Sequence, residues 1–342
     1  MNHYKEMQDK LNHVLGSEIL SELRNPSMIE LMCNEDGRIW VETFAGMKEA
    51  GFLNSARVKT IICTVAGMTD QIVDRENPDI SAEMPLFLDG EYCMFRFQGM
   101  VYPTVLNPIF SIRRPASKIF TWDEYQERGV VTQSQTEYLK EAVNKHQNII
   151  VAGGTASGKT TFVNTLLDEI ARQFPQQRIG ILQDTLELQC PSQNKFQLRA
   201  SEYRNMDDLL KCSLRLRPDR IVVGEVRGKE CLSLVKAWGT GHPGGAATVH
   251  ANSASQALVR IEQLIQEANV SPVPEVIAQT INVVIYIAKT KANKAGRIVQ
   301  DIIEVNGYDA SLKQYQFNAF FEKETVFSLG RELIMYELTQ LN

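Results

Sequence analysis

Two rhythms of apolar residues divide the chain. From His146 onward, short apolar runs at 148–152, 178–183, 220–224 and 246–249 alternate with stretches of helical spacing at 160–173, 207–215, 229–238 and 254–268. This alternation predicts a parallel sheet with helices on both faces. Beyond Pro272 the pattern predicts a short helix, a strand at Asn282–Ala288 and further strands around Ile298–Val305 and Gln314–Phe317. Residues 328–342 fit neither period.

The front of the chain reads differently. Residues 1–24 have the spacing of one or two amphipathic helices. Met28–Cys33, a polar Asn34-Glu35-Asp36-Gly37 turn and Arg38–Thr43 predict a hairpin. Ala56–Val73 has helical spacing, with Val58, Ile61, Ile62, Val65 and Ile72 on one face. Pro85–Asp89, Tyr92–Gln98 and Pro108–Arg113 read as strands. The run Arg114-Pro115-Ala116-Ser117 breaks the pattern. It places a linker at 114–120 between an α+β domain at 1–113 and a second domain at 121–342, whose first stretch, Thr121–Lys145, is polar and helix-leaning.

Composition narrows the class. With 342 residues, 44% hydrophobic and 23% charged, the chain can bury the cores of two globular domains. A net charge of −5 and a pI near 5.7 argue against general coating of nucleic acid, while leaving room for a local basic patch. The longest apolar runs, such as Val283–Ala288, are too short to span a bilayer, and the polar N-terminus has no signal-peptide core. Six scattered cysteines without a C-x-x-C pair fit reduced thiols in the cytoplasm and give no zinc site.

The chemistry starts at the first strand of the second domain. NIIVAGGTASGKTT contains Gly153-x-x-x-x-Gly158-Lys159-Thr160, set between an apolar strand and a helical run. That context makes it a phosphate-cradling loop. Gly153, Gly154, Thr155, Ala156, Ser157 and Gly158 supply backbone N–H groups, and the helix adds its positive end. Lys159 would reach the β- and γ-phosphates of ATP, the Thr160 hydroxyl would bind Mg²⁺, and Thr161 continues the loop into the helix.

Three further segments extend the site. Strand 178–182 ends in Gln183-Asp184-Thr185-Leu186-Glu187, which puts Asp184 and Glu187 at a carboxyl end, where ligands of open parallel sheets bind. Strand 220–224 ends in Glu225, an acid able to orient Mg²⁺ and the attacking water. TGHPGGAATVHAN holds His242, Thr248 and His250; it reads as a segment sensing the γ-phosphate, Thr248 and His250 sharing one strand face. Front-domain candidates for charge on that phosphate are Arg96, Arg113 and Arg114.

In this order, GGTASGKTT, QDTLELQ, RPDRIVVGEVRG and TGHPGGAATVHANS resemble the Walker A, Asp-box, Walker B and His-box motifs of the secretion ATPase superfamily. The similarity covers about 145–290 closely. In the front domain IELMCNEDGRIWVE, MFRFQGMVYPT and FSIRRPAS resemble its conjugal-transfer, TrbB-type branch. The resemblance implies an α/β fold: a RecA-like P-loop ATPase domain behind a smaller N-terminal α+β domain. It also implies a cytoplasmic homo-oligomer, a hexameric ring, peripherally associated with the inner membrane and with the inner-membrane components of a type IV secretion channel. Glu187 and Glu225 become the acids around metal and water, His242 and His250 the His-box residues, and Arg96 and Arg113 front-domain arginines that reach the nucleotide phosphates. One departure matters: the family's acid segment usually opens with Glu-Asp, and here it opens with Gln183-Asp184. A neutral amide cannot be a general base, so Glu187 should carry any acid role there. The four-cysteine zinc module of many pilus-assembly ATPases is not in this sequence, which favours the conjugal-transfer or pilus-retraction branches. The alternatives are a pilus-retraction ATPase, a DNA-binding translocase on the same core, with strong DNA binding not expected, and a non-catalytic nucleotide-gated scaffold.

Overall fold

The computed structural model describes residues 2–43, 45–114, 118–201 and 203–320. The ambiguous stretch 328–342 lies outside the described residues. The chain separates into two compact units, Met1–Ser117 and Lys118–Asn342.

In the first unit, α1 (Asn2–Arg24) bends at Gly16, where φ is 73°. The strands β1 (Met28–Cys33), β2 (Arg38–Thr43) and β3 (Gly46–Phe52) follow, then α2 (Ser55–Met68), β4 (Asp79–Leu88), β5 (Glu91–Met100) and β6 (Ile109–Arg113). They form one antiparallel sheet in the order β3-β2-β1-β6-β5-β4. Leu11, Leu15, Ile19 and Leu23, one turn apart on α1, bury with Val58, Ile61, Ile62 and Val65 of α2. They share a core with Leu31, Val41, Met84, Phe97 and Ile112 of the sheet. Each such side chain contributes on the order of 1.5–3 kcal/mol when fully buried.

The sequence pattern extends α2 to Val73, but the helix stops at Met68. The Thr69 hydroxyl donates to the Val65 and Ala66 carbonyls, Gln71 N–H turns back to Ala66 O, and Ile72 is left exposed. β3 was not anticipated. It is an edge strand whose residues face solvent on both sides, so no apolar alternation marks it.

The second unit begins with α3 (Trp122–Glu127) and α4 (Gln133–Asn144), each opened by a capping box on Thr121 or Thr132. Next come β7 (Ile149–Gly153), α5 (Lys159–Gln173), β8 (Ile179–Gln183), β9 (Lys195–Arg199) and α6 (Met206–Ser213). After these lie β10 (Arg220–Val223), α7 (Glu230–Gly239), β11 (Ala246–Val249), α8 (Ala254–Gln266) and α9 (Pro274–Thr280). The last elements are β12 (Val283–Lys289), β13 (Arg297–Asp309) and β14 (Gln314–Ala319).

The sheet order is β14-β13-β12-β7-β11-β10-β8-β9. From β12 to β9 all neighbours are parallel, while β13 and β14 join antiparallel at one edge. β7 shows why the central strands are apolar throughout. Its Ile149 and Val151 face Phe162, Leu166 and Trp122 beneath α3–α5, while Ile150 and Ala152 face Trp238, Leu258 and Ile277 beneath α6–α9. β9, a second edge strand, was also missed, although Phe196 packs tightly under Gly180.

Two buried polar side chains tie the amino ends of these strands. Asn148 accepts from Gly244 N and Gly245 N (2.8 and 3.2 Å) and donates to Thr280 O (2.7 Å). Arg220, fully buried, donates to Gln177 Oε1, Gly244 O and Val143 O and lies over the Phe174 ring. Burial pulls its guanidinium down to about 10. Among the described residues no helix is long and apolar enough to cross a membrane.

Candidate nucleotide site

β7 ends in the glycine loop, and α5 begins directly behind it. The loop takes three left-handed positions, Gly153 (φ 158°), Ala156 (φ 56°) and Gly158 (φ 97°). Gly158 needs glycine for its φ of 97°, and at Gly153 a side chain would meet Ile287 O at 2.5 Å. Gly158 caps α5 without a side-chain hydrogen bond, which leaves the helix's first N–H groups to other acceptors. Gly154 and Thr155 are exposed, and Ala156, Thr160 and Thr161 half-buried.

Lys159 is 7% exposed, and its ammonium curls over the loop, 3.0 Å from Gly153 O and 2.9 Å from Gly154 O. Both ring nitrogens of His250 lie 3.4 Å from it. The Ser157 hydroxyl is buried and has no partner among the described residues. A cradle with an inward ammonium and an orphaned buried hydroxyl fits a bound phosphate chain.

The acids gather at the carboxyl ends of the neighbouring strands. Glu225 follows β10, and its Oε2 accepts from Arg227 Nη2 at 2.7 Å while its Oε1 lies 3.0 Å from His250 Nε2. Burial pushes the Glu225 carboxyl up, but the Arg227 hydrogen bond and charge, with His250 and Lys159, outweigh it and hold it below the usual carboxylate range. Arg227 also holds Asp184 Oδ2 at 3.1 Å and feels the charge of Glu187. One guanidinium therefore organises the acids of two strand tips, a role the sequence reading did not give it.

His250 sits just past β11, beside Glu225. Burial and the Lys159 ammonium hold its imidazole below the ordinary value, against the pull of Glu225. With its proton on Nε2 the ring donates to Glu225 Oε1. Thr248, one residue inside the strand end, donates to Gly224 O at 2.7 Å and accepts at its carbonyl from Val226 N at 2.9 Å. This end of β11 thus clamps the Glu225 segment.

His242 is not part of this group. It lies in the loop entering β11, with Nδ1 2.8 Å from Pro218 O, two residues before β10. That is the amino end of the sheet, roughly 13 Å away along a four-residue strand.

Arg96 and Arg113 belong to the first unit and stand directly opposite each other on β5 and β6. Register continues the row to Glu30 on β1 and Glu83 on β4, giving Glu30, Arg113, Arg96 and Glu83 across four strands. All four are half-buried. Arg114 instead turns back to the Leu23 carbonyl and the Phe95 ring.

No cluster of three or more His, Cys, Asp or Glu suited to a metal occurs among the described residues. The donor set does fit Mg²⁺ held mainly by substrate phosphates, which requires only one or two protein oxygens. Thr160 and Glu225 are the candidates.

Two further residues escaped the sequence reading. Asn164, fully buried on α5, accepts from Gln189 N (2.9 Å) and donates to Glu187 O (3.3 Å), fastening the acid segment to the helix that follows the loop. Arg297 lies against Gly158 from β13. Its sequence context, AGRIVQ, carries no motif.

Comparison with known proteins places these features. Residues 14–335 match the protein family described as "Type II/IV secretion system protein". A probable conjugal transfer protein TrbB of Sinorhizobium fredii is 44% identical over 300 residues, covering 87% of this chain and 90% of the relative. The conjugal transfer protein TrbB of Rhizobium radiobacter is 38% identical over 317 residues, covering 92% and 95%. Among solved structures, the Yersinia pseudotuberculosis ATPase DotB superposes with a TM-score of 0.60 at 17% identity, covering 100% of this chain and 86% of that one. A crystal structure of the pilus retraction motor PilT with bound ADP gives 0.59 at 17% identity, covering 95% and 89%. These two likenesses bear on the fold: an N-terminal domain and a RecA-like ATPase domain.

Proposed function

The chain belongs to the type II/IV secretion system protein family, in its conjugal-transfer TrbB-type group, and from that premise we propose that it is the ATP-hydrolysing motor of a conjugative type IV secretion system. The observation that carries this reading is the convergence of Lys159, His250 and Glu225 at the carboxyl ends of adjacent strands, beside a glycine loop with an orphaned hydroxyl.

In this reading the N–H groups of residues 153–161 bind the phosphates of ATP, and Lys159 exchanges its loop carbonyls for phosphate oxygens. Thr160 and Glu225 would hold Mg²⁺, which when bound offsets phosphate charge. Both oxygens of Glu225 already have partners, so its stronger role is to orient and deprotonate the attacking water. Arg227 and neutral His250 keep that carboxylate ionised and aimed. Glu187 and Asp184 add negative charge on the metal side. Arg113, with Arg96, supplies positive charge to the γ-phosphate as it leaves, the kind of contact worth about 10³–10⁵ in rate. The assembled form is a homo-oligomer, a hexamer, acting at the cytoplasmic side of the inner membrane on components of the channel.

Phosphate release and nucleotide binding by wild type and Lys159→Ala test the proposal. The wild type should hydrolyse ATP with Mg²⁺, and the variant should lose affinity or turnover by at least tenfold. Equal binding and turnover would overturn the reading.

A further inference from the structure

Gln183 stands where the resemblance of the acid segment leads one to expect Glu, and its surroundings say what it does here. Gln183 ends β8 and is 2% exposed. Its side-chain oxygen accepts from two consecutive backbone donors, Glu187 N at 3.0 Å and Leu188 N at 2.9 Å. Those two N–H groups belong to a turn that forms no strand or helix, so without Gln183 the Leu188 donor would be buried and unpaired. The flanking residues of the same turn are held by Asn164, through Glu187 O and Gln189 N. Two amide side chains, one from β8 and one from α5, therefore fix the backbone on both sides of Glu187.

Gln183 Nε2 is buried with no partner among the described residues. Among the described residues the hydrogen bonds of this side chain run through its acceptor, which a carboxylate oxygen can also supply at the cost of burying a charge. On its far side Gln183 packs against Gly224, where an added Cβ would lie 3.1 Å from Gln183 Cβ, so the clamp sits beside the backbone that leads to Glu225.

We propose that Gln183 is a positioning residue for ATP hydrolysis: its side-chain oxygen clamps the 184–188 turn and so fixes Glu187, and it takes no part as a base. This rests on the hydrolytic reading above. An amide suffices for this role, because the clamp needs an acceptor and no charge.

The test compares wild type, Gln183→Met, Gln183→Glu, Glu187→Gln and the double variant Gln183→Met with Glu187→Gln, as full-length protein well below each melting temperature. Gln183→Met, of similar length without the acceptor, should lower kcat at least tenfold with KM for ATP within threefold. Gln183→Glu should restore kcat to within threefold of wild type. The double variant should be no more than twofold slower than Glu187→Gln, since both changes act through one carboxylate. Wild-type kcat in Gln183→Met, a Gln183→Glu as slow as Gln183→Met, or multiplying effects in the double variant would each overturn the clamp. If Gln183→Met does not fold, Gln183→Asn, whose oxygen is withdrawn by one methylene, takes its place under the same criteria. Amide hydrogen exchange at Leu188 reads the clamp without turnover. Protection at Leu188 that is lost in Gln183→Met supports it, and fast exchange in wild type or equal protection in both sinks it whether or not ATP is cleaved; Glu187 N, which also reaches Thr185 O, does not decide. A wild type that shows protection but releases no phosphate sinks the hydrolytic reading instead.

Discussion

His250 Nε2 lies 3.0 Å from Glu225 Oε1, joining the tips of two adjacent parallel strands. The Lys159 ammonium reaches the same ring at 3.4 Å, so one imidazole touches both the phosphate-loop lysine and the acid proposed to activate water. Loss of a phosphate contact at Lys159 would be felt at Glu225 through this ring.

The pH dependence of stability follows from that placement. The folded protein holds His250 below its ordinary value, chiefly by burial and Lys159, so below about 6.5 the unfolded chain binds more protons. The contribution of His250 is therefore complete above that value and falls as pH is lowered towards the folded one. Melting temperatures of wild type and His250→Gln from pH 8 to 5 should converge in slope above pH 7. Below it wild type should lose stability faster. Equal slopes throughout would contradict the assignment. Glu225, also depressed, adds stability above about 4.3 that is lost only at lower pH, outside this window.

Gly158→Ala should abolish nucleotide binding. The position has φ 97°, a backbone conformation that strains any L side chain placed there. Isothermal titration with an ATP analogue should show at least a tenfold loss. Gly67→Ala, in α2 of the first unit with open space around it, is the control and should bind as wild type.

The row Glu30, Arg113, Arg96, Glu83 alternates in sign at its ends and pairs two like charges at its centre. Directly opposed like charges are unfavourable in a sheet, and here each arginine has a glutamate on its other side. Arg113→Ala should lower kcat more than tenfold while leaving the melting temperature unchanged or raised. Unchanged turnover would remove Arg113 from the mechanism.

How much of this was legible beforehand depends on the kind of residue. The central strands β7, β8, β10 and β11 and their helices are bounded by continuous apolar runs and glycine or proline breaks, and they lie where the periodicity puts them. The edge strands β3 and β9 carry little buried surface, so the pattern that marks a strand is weak there. Lys159, Glu225 and His250 were readable because motif spacing and strand ends coincide. Asn164 and Arg297 were not, since each acts through contacts far away in sequence, and neither was Arg227, which joins its near neighbour Glu225 to the distant Asp184; amides or arginines on such segments are ordinarily solvated. Spacing put both histidines in one window, but His242 and His250 flank a strand and so fall at opposite ends of the sheet.

The central claim is that ATP held by the glycine loop is split with the help of the Glu225 carboxylate. Phosphate release by Glu225→Gln, measured beside wild type at saturating ATP and Mg²⁺ with bound nucleotide quantified in both, tests it most directly. The account predicts nucleotide binding within threefold of wild type and turnover reduced by about 10²- to 10⁴-fold. A Glu225→Gln protein that releases phosphate at the wild-type rate would contradict it.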